Sequence, residues 1–401
     1  MKRYISSFVL TLIVIGSIGT YYGTQAASLA NLPGYEFKTI EGNEKELKPV
    51  ILRGFANKDS ISEPIIFEGN QLTYEREKSL VEQFSGEDEV EKRLKKYKSF
   101  IRGKHDLDSF YEDEDFLAYA SLTNKYRNNK NVTTFEISLL EKETKKESSF
   151  ELDVSEQGEK EYLRILDVQM IDSKLQVVVN NQVESQDSNE EIHVYTLDLA
   201  NKKVINDKVI LSELTSNAMD NVVQIHYPTA SNTIGESHVF LYSLVKGTYS
   251  ESDEFVPKET TLYKYDFETG KEETITLPKK DLIPDEEIFY TSNNIYFYEV
   301  SDQQIHLITF SLSNQTIIDE FSFDLLYDDF LFSIKNERMY LLGFNEHESQ
   351  FDTYKPLQLL IADLKTGKTL YKGESMITSS KQQSKMNHGL SIHDLQVYEI
   401  N

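Results

Sequence analysis

Tyr263-Lys-Tyr-Asp-Phe-Glu-Thr-Gly-Lys271 reads as the end of one β-strand, a tight turn and the start of the next. Asp266 can accept hydrogen bonds from backbone amides just beyond it, and Gly270 can take the positive φ that a tight hairpin needs. A second copy, Asp363-Leu-Lys-Thr-Gly-Lys368, follows Leu357-Gln-Leu-Leu-Ile-Ala362 and precedes Thr369-Leu-Tyr371. Both copies end strands in which aromatic or branched residues alternate with others, as a pleated surface favours.

The same order of elements surrounds these turns. Ile288-Phe-Tyr-Thr291 leads through Ser292-Asn-Asn294 to Ile295-Tyr-Phe-Tyr298, then to the run Ile305–Ser311, Asn314 and Thr316-Ile-Ile318. Phe330-Leu-Phe-Ser-Ile334, Lys335-Asn-Glu337 and Met339-Tyr-Leu-Leu342 precede the copy at 357–371. Val194-Tyr-Thr-Leu-Asp198 and Thr134-Phe-Glu-Ile-Ser138 mark earlier copies. Aligned on Ser138, Asp198, Asp266, Ser311 and Asp363, they are spaced by 60, 68, 45 and 52 residues. Four strands at such spacings predict a mainly β fold with propeller-like blades, about five to seven of them. A pair of irregular β-sandwiches is the alternative.

The stretches at 263–271 and 363–368 resemble the third-strand hairpin of bacterial periplasmic and cell-surface β-propellers. The resemblance covers about residues 115–401 and implies a fold, with no functional residue to carry over. The chain has no tryptophan, so it lacks the Trp-centred blade signatures of the better-known propeller families.

The N-terminus gives a location. Lys2 and Arg3 are the only charges before Glu36, and residues 4–22 form an uncharged, mostly apolar run. Such a run, as helix at about 1.5 Å per residue, nearly spans a hydrocarbon core of about 30 Å. Tyr21 and Tyr22 suit the outer interface, and the two cations suit the cytoplasmic side. This predicts a transmembrane anchor over residues 4–22 with everything beyond it outside the cytoplasm. Cleavage near Ala26, after Thr24-Gln25, is the alternative and would leave a secreted protein. The expected organisation is 1–26 as anchor, 27–114 as a small α+β segment packed on the main domain, and 115–401 as the repeat domain.

Composition excludes several classes. With 67 acidic residues against 42 basic ones the net charge is −25, so nucleic acid and anionic lipid would repel the domain. Zero cysteines exclude disulfides, thiolate metal sites and a thiol nucleophile. The sequons at Asn131 and Asn314 read as chance matches on a bacterial surface.

Within 27–114, Tyr35–Thr39, Val50–Phe55 and Ile65–Phe67 read as short strands. A helix is expected over about 85–101, opened by Ser85 and Asp88, with Val90, Leu94, Tyr97 and Ile101 on one face. At the other end, Leu390–Ile400 alternates apolar and polar residues almost to the last position. It predicts a strand that completes a blade together with an N-terminal strand from the 33–125 region.

The search for chemistry yields no named site. No phosphate loop, His-Glu-x-x-His or Gly-x-Ser-x-Gly occurs. His105, His193, His226, His238, His306, His347, His388 and His393 show no metal-ligand spacing, and His193 and His306 occupy matching places in two repeats. Asp106, Asp108 and Glu112–Asp115 are the best calcium candidate, and Asp153-x-Ser155-x-Gln157-Gly158 begins like a calcium loop that Arg164 breaks at its twelfth position. The default for both is a solvated acidic loop, so no catalytic, metal or cofactor residue is assigned. The favoured function is a binding or scaffold module for an envelope protein or wall polymer. The alternative is a propeller hydrolase or lyase acting on wall carbohydrate, with a His and two acids brought together.

Overall fold

The computed structural model describes residues 10–11, 13–17, 19–20, 33–58, 61–77, 94–127, 130–154, 162–183, 188–215, 222–231, 233–250, 254–277, 288–301, 303–325, 327, 329–344, 355–378 and 388–398. They fall into two compact units, residues 1–87 with 324–401, and residues 88–323. The described residues within 4–22 are helical and exposed, and among the described residues no helix is long and apolar enough to cross a membrane. The rest of the expected anchor lies outside the described residues.

The chain begins with β1 (Tyr35–Gly42), β2 (Val50–Lys58), β3 (Ile61–Glu68) and β4 (Gln71–Tyr74). Of the helix expected over 85–101, residues 85–93 lie outside the described residues. The remainder is a 3₁₀ turn at Lys95–Tyr97 and a short α1 (Lys98–Ile101). Leu94, Phe100 and Ile101 are buried there against Phe110, Leu117 and Leu140.

The central unit then runs through four sheets in succession. The first is β5 (Phe110–Glu112), β6 (Phe116–Arg127), β7 (Lys130–Glu141) and β8 (Lys146–Asp153). The second is β9 (Tyr162–Ile171), β10 (Lys174–Val183), β11 (Ser188–Asp198) and β12 (Lys203–Thr215). The third consists of β13 (Val222–His226), then, after a two-residue β14 (Thr229–Ala230), β15 (Val239–Tyr249), β16 (Phe255–Asp266) and β17 (Lys271–Ile275). The fourth is β18 (Phe289–Tyr290), β19 (Asn294–Ser301), β20 (Gln304–Ser311) and β21 (Thr316–Asp324), with β14 added in parallel beside β18.

Alternation along each strand explains how these sheets stack. In β10, Leu175, Val177 and Val179 pack with Ala118, Phe135 and Ile137 of the sheet before, whereas Val178 packs with Phe240, Tyr242 and Leu244 of the sheet after. In β15, Val239 and Leu241 turn to Ile295, Phe297 and Phe310 of the fourth sheet. Both faces of a middle sheet are therefore buried, which is why these strands read as nearly continuous apolar runs.

The remaining strands are β22 (Asp329–Lys335), β23 (Arg338–Phe344), β24 (Gln358–Asp363), β25 (Thr369–Ile377) and β26 (His388–Val397). The N-terminal strands belong to the same two sheets. β1 pairs antiparallel with β25, giving the order β1-β25-β24-β23-β22, and β2 pairs with β26 in a sheet ordered β26-β2-β3-β4. The C-terminal strand thus completes a four-stranded sheet with N-terminal strands, over 388–397 where the sequence indicated 390–400. Gly54 lets the chains meet, since a Cβ there would lie 1.9 Å from the Ser391 carbonyl oxygen. Tyr35, Phe37, Leu52, Phe67, Tyr340, Ile361, Tyr371 and Ile392 form the core between these two sheets.

The turns between third and fourth strands repeat one another closely. Lys145, Lys202, Gly270, Gln315 and Gly367 all have φ between 51° and 65°, each at the last or next-to-last residue of its turn. The acid at the head of the turn supports it: Asp266 Oδ1 accepts from the Thr269 amide at 2.7 Å, and Asp363 Oδ1 from the Thr366 amide at 2.8 Å. The first repeat corrects the sequence alignment. Its turn is headed by Glu141, which accepts from Thr144 Oγ1, and not by Ser138, which lies inside β7 opposite Ser149. The molecule is mainly β, with multiple antiparallel sheets of four or five strands, consistent with a propeller-like fold.

Candidate functional site

The densest group of interacting polar side chains in the central unit belongs to the β9–β12 sheet. Apolar residues fill the middle of β10, but Asn180 and Asn181 follow Val179 near its end, and successive side chains go to opposite faces. Each asparagine therefore joins a different cluster.

On one face, Glu191 and His193 lie two apart on β11, and Asp207 comes from β12. The His193 ring is only 4% exposed. Its Nδ1 lies 2.7 Å from Asp207 Oδ1 and its Nε2 lies 3.1 Å from Glu191 Oε2. Ser212 Oγ donates to the other Glu191 oxygen at 3.1 Å. The Tyr195 ring stacks on the imidazole at 5.6 Å, and Phe135 of the neighbouring sheet closes over Tyr195. Burial works against charge on His193, but the hydrogen bonds to Asp207 and Glu191 outweigh it and hold the ring above the ordinary histidine pKa. Glu191 is held below the usual carboxylate range: burial opposes this, while His193 and Ser212 prevail.

On the other face, Tyr227 Oη donates to Glu190 Oε1 at 3.1 Å, and Asn180 Nδ2 donates to both Glu190 and Tyr227. Burial, with the charge of Glu190, pushes the Tyr227 pKa up, and Arg164 offsets it in part. Arg164 in turn sits 3.4 Å from Asp108 and is more than half exposed.

Deeper in β9, Asp167 is buried without an ion-pair partner among the described residues. Gln169 Nε2 donates to it at 2.9 Å and also reaches the Gly235 carbonyl at 3.3 Å, while Gln169 Oε1 accepts from the Ser237 amide. Burial pushes the Asp167 pKa up to about 7, with Asp108 adding to the rise. The same two acids, after burial, raise the phenol of Tyr290.

The calcium candidates prove to be spent on local structure. Asp106 caps the turn at Asp108, and Asp113 accepts from the amides of Asp115 and Phe116 and from Tyr111 Oη. Glu112 pairs with Lys142 at 2.8 Å and Lys96 at 3.6 Å. Among the described residues no three carboxylates or histidines converge on a metal position. Asp153 accepts from Thr134 Oγ1, and residues 155–161 of the broken calcium loop lie outside the described residues.

The other histidines are scattered. His306 bonds Ser322 and Ser301, His238 pairs with Glu268, His226 contacts Gln224, and His393 stacks near Phe55. His105 is exposed. His347 and the side chain of His388 lie outside the described residues. Sequence reading missed Asn180, Glu190, Glu191, Asp207, Tyr227, Arg164 and Asp167. The only local signal was Glu191-x-His193, whose spacing puts both on one strand face.

In the terminal unit an open groove of about 470 Å³ runs between Glu44–Lys48 and Glu68–Gln71. Its asparagine is structural: Asn70 accepts from the Phe37 amide at 2.6 Å and donates to the Phe37 carbonyl at 2.9 Å.

No described family matches the sequence, and no curated protein is similar to it. Among solved structures, TolB from Acinetobacter baumannii is 12% identical with a TM-score of 0.27, covering 90% of this chain and 68% of that one. An oligogalacturonate lyase in complex with manganese is 8% identical with a TM-score of 0.32, over 84% of this chain and 85% of that one. A prolyl endopeptidase is 11% identical at 0.32, and this chain, 91% of it covered, spans about half (54%) of the enzyme. These neighbours have propeller-like folds, at identities and scores too low to transfer an activity or a substrate.

Proposed function

We propose that the chain is an extracytoplasmic binding module, tethered to the membrane by residues 4–22, whose six sheets act as blades and whose projecting hairpins recognise an envelope protein or wall polymer. The β15–β16 hairpin carries this reading. β17 pairs only with Leu262–Asp266 and β13 only with Ser243–Gly247, so beyond Gly247 the hairpin continues as a two-stranded ribbon. A lone ribbon buries little surface and is marginal by itself. This one nevertheless carries exposed Tyr249 (42%) and Val256 (46%), with Phe255 edge-on to Tyr249 at 5.8 Å. Gly247 permits that packing, because a Cβ there would lie 2.6 Å from the Phe255 ring. Aromatic and branched side chains on a projecting, otherwise acidic element are the usual material of recognition surfaces.

The ionisable clusters support binding over catalysis. A general acid or base must reach a substrate proton, whereas both nitrogens of His193 are occupied by carboxylates of its own sheet and Asp167 is closed off by Gln169.

The test is photo-crosslinking in intact cells with a photoreactive residue at position 249, and at exposed Ile318 as the control. A discrete adduct at 249 that is absent at 318 is expected. Equal labelling at both positions, or none at 249, overturns the reading. Fractionation with N-terminal sequencing checks the tether separately: a soluble product beginning at Ala27 would replace it with secretion.

A further inference from the structure

We propose that His193 is a doubly protonated clamp that locks the outer strand β12 to its sheet, and that β12 is released when the imidazolium loses its proton. The geometry sets the charge state. A neutral imidazole has one N–H and one lone pair, so between two carboxylates it can satisfy only one of them. Here both ring nitrogens lie within hydrogen-bond distance of carboxylate oxygens, at 2.7 Å and 3.1 Å, in a site closed to solvent. Only the imidazolium donates to both.

β12 needs such a brace. It is an edge strand, and its ladder to β11 is broken by register shifts at Ile192/His193 and again at Thr196/Leu197. The stretch between the two breaks, Asn206–Val209, holds Asp207, the carboxylate that grips His193. Its exposed side chains, Ile205 and Val209, bury little to hold it otherwise. The groups facing the ring are Asp207 from β12, Glu191 and Tyr195 from β11, Asn181 near Glu191 from β10, and on the side of the β5–β8 sheet the uncharged Phe135 behind Tyr195.

Two opposite shifts set the pH window. The raised His193 pKa makes its contribution complete below its unfolded value of about 6.5, and the contribution is lost as pH rises through the folded value. The lowered Glu191 pKa makes its share present above about 4.5 and lost as pH falls through the folded value.

Hydrogen exchange of the full chain at pH 6 and pH 9, corrected for intrinsic rates, reads the lock strand by strand. Protection of Lys203–Thr215 should drop on the order of tenfold or more from pH 6 to pH 9, while Lys174–Val183 keeps its protection. In His193→Gln the outer strand should be weakly protected at both pH values. Asp207→Asn, which preserves shape, should lower the His193 pKa towards the ordinary value in an NMR titration of the imidazole protons. A wild-type His193 that titrates at or below about 6.5, pH-independent protection of β12, or a wild-type pH response in His193→Gln would each overturn the proposal.

Discussion

His193 and His306 stand at matching places on the third strands of two sheets, in Ile-His-Val-Tyr and Ile-His-Leu-Ile, yet they meet opposite surroundings. His193 is buried between Asp207 and Glu191, whereas His306 lies towards the surface between Ser322 at 2.8 Å and Ser301 at 3.0 Å. Each ring reaches across to the outer strand of its sheet. What differs is the residue that the outer strand supplies, an aspartate on β12 and a serine on β21. The repeat fixes where a side chain goes, and the neighbouring rung fixes what it becomes.

Removing the two outer-strand partners in turn puts this contrast under the greatest strain. Asp207→Ala leaves a buried imidazolium facing one carboxylate, and truncating one member of such a group costs about 3 kcal/mol or more. Ser322→Ala removes one hydrogen bond from an accessible ring, where the cost stays within about 0.5 kcal/mol. Urea unfolding at pH 6 should separate the two variants clearly. Equal midpoints would mean that the two histidines are interchangeable packing residues after all.

The same pair shows how much was legible in the sequence. The strands around His306 and Asp363 could be read from alternation and from turns headed by serine or aspartate, because those signals are local. The first repeat was misaligned by three residues because Glu141-Lys-Glu-Thr-Lys145 has neither aspartate nor glycine, although Lys145 takes the same left-handed conformation. The His193 cluster was beyond local reading altogether. Asp207 arrives opposite Tyr195 only through a ladder with two register shifts, and no sequence spacing records a bulge. Asp167 was hidden likewise, since its partner Gln169 is fixed by backbone at Gly235 and Ser237, far along the chain.

Asp167 extends the contrast within one sheet, because it is an acid without the cation that its neighbours enjoy. Its folded pKa, about 7, lies above the unfolded value of about 3.9. The native state therefore holds this proton more tightly, and the stability it contributes is complete below about pH 4 and falls as pH rises towards 7. Above that the fold carries a buried charge. Asp167→Asn keeps an acceptor for Gln169 and removes the charge, so it should stabilise the protein by on the order of 2 kcal/mol at pH 8. Below pH 4 the gain should vanish. Paired denaturation curves across this range check it, and a variant less stable than the parent at pH 8 would show that the carboxylate has a partner that the geometry does not reveal.

The smallest expected effect tests what the two histidine-bearing sheets share. Lys202 and Gln315 hold the same left-handed position in their third-to-fourth strand turns, at φ of 51° in each case, where Gly270 and Gly367 stand in other repeats. A residue with a Cβ pays about 1 kcal/mol for that conformation, and glycine does not, although glycine gives back part of the gain through the entropy of the unfolded chain. Lys202→Gly and Gln315→Gly should each stabilise by about 0.5 kcal/mol, and Gly270→Ala should cost about 1 kcal/mol. If the turns are equivalent, the first two gains are equal within error although one sheet carries the charged clamp and the other does not. Unequal gains in thermal melts would mean that Lys202 is tied to its own surroundings. The contact of its ammonium with the Phe150 ring, 5.2 Å from the centroid, is then the interaction lost, worth about 0.5 kcal/mol at an exposed site. Lys202→Gly would come out near neutral while Gln315→Gly kept its full gain, so the pair separates backbone strain from side-chain contact.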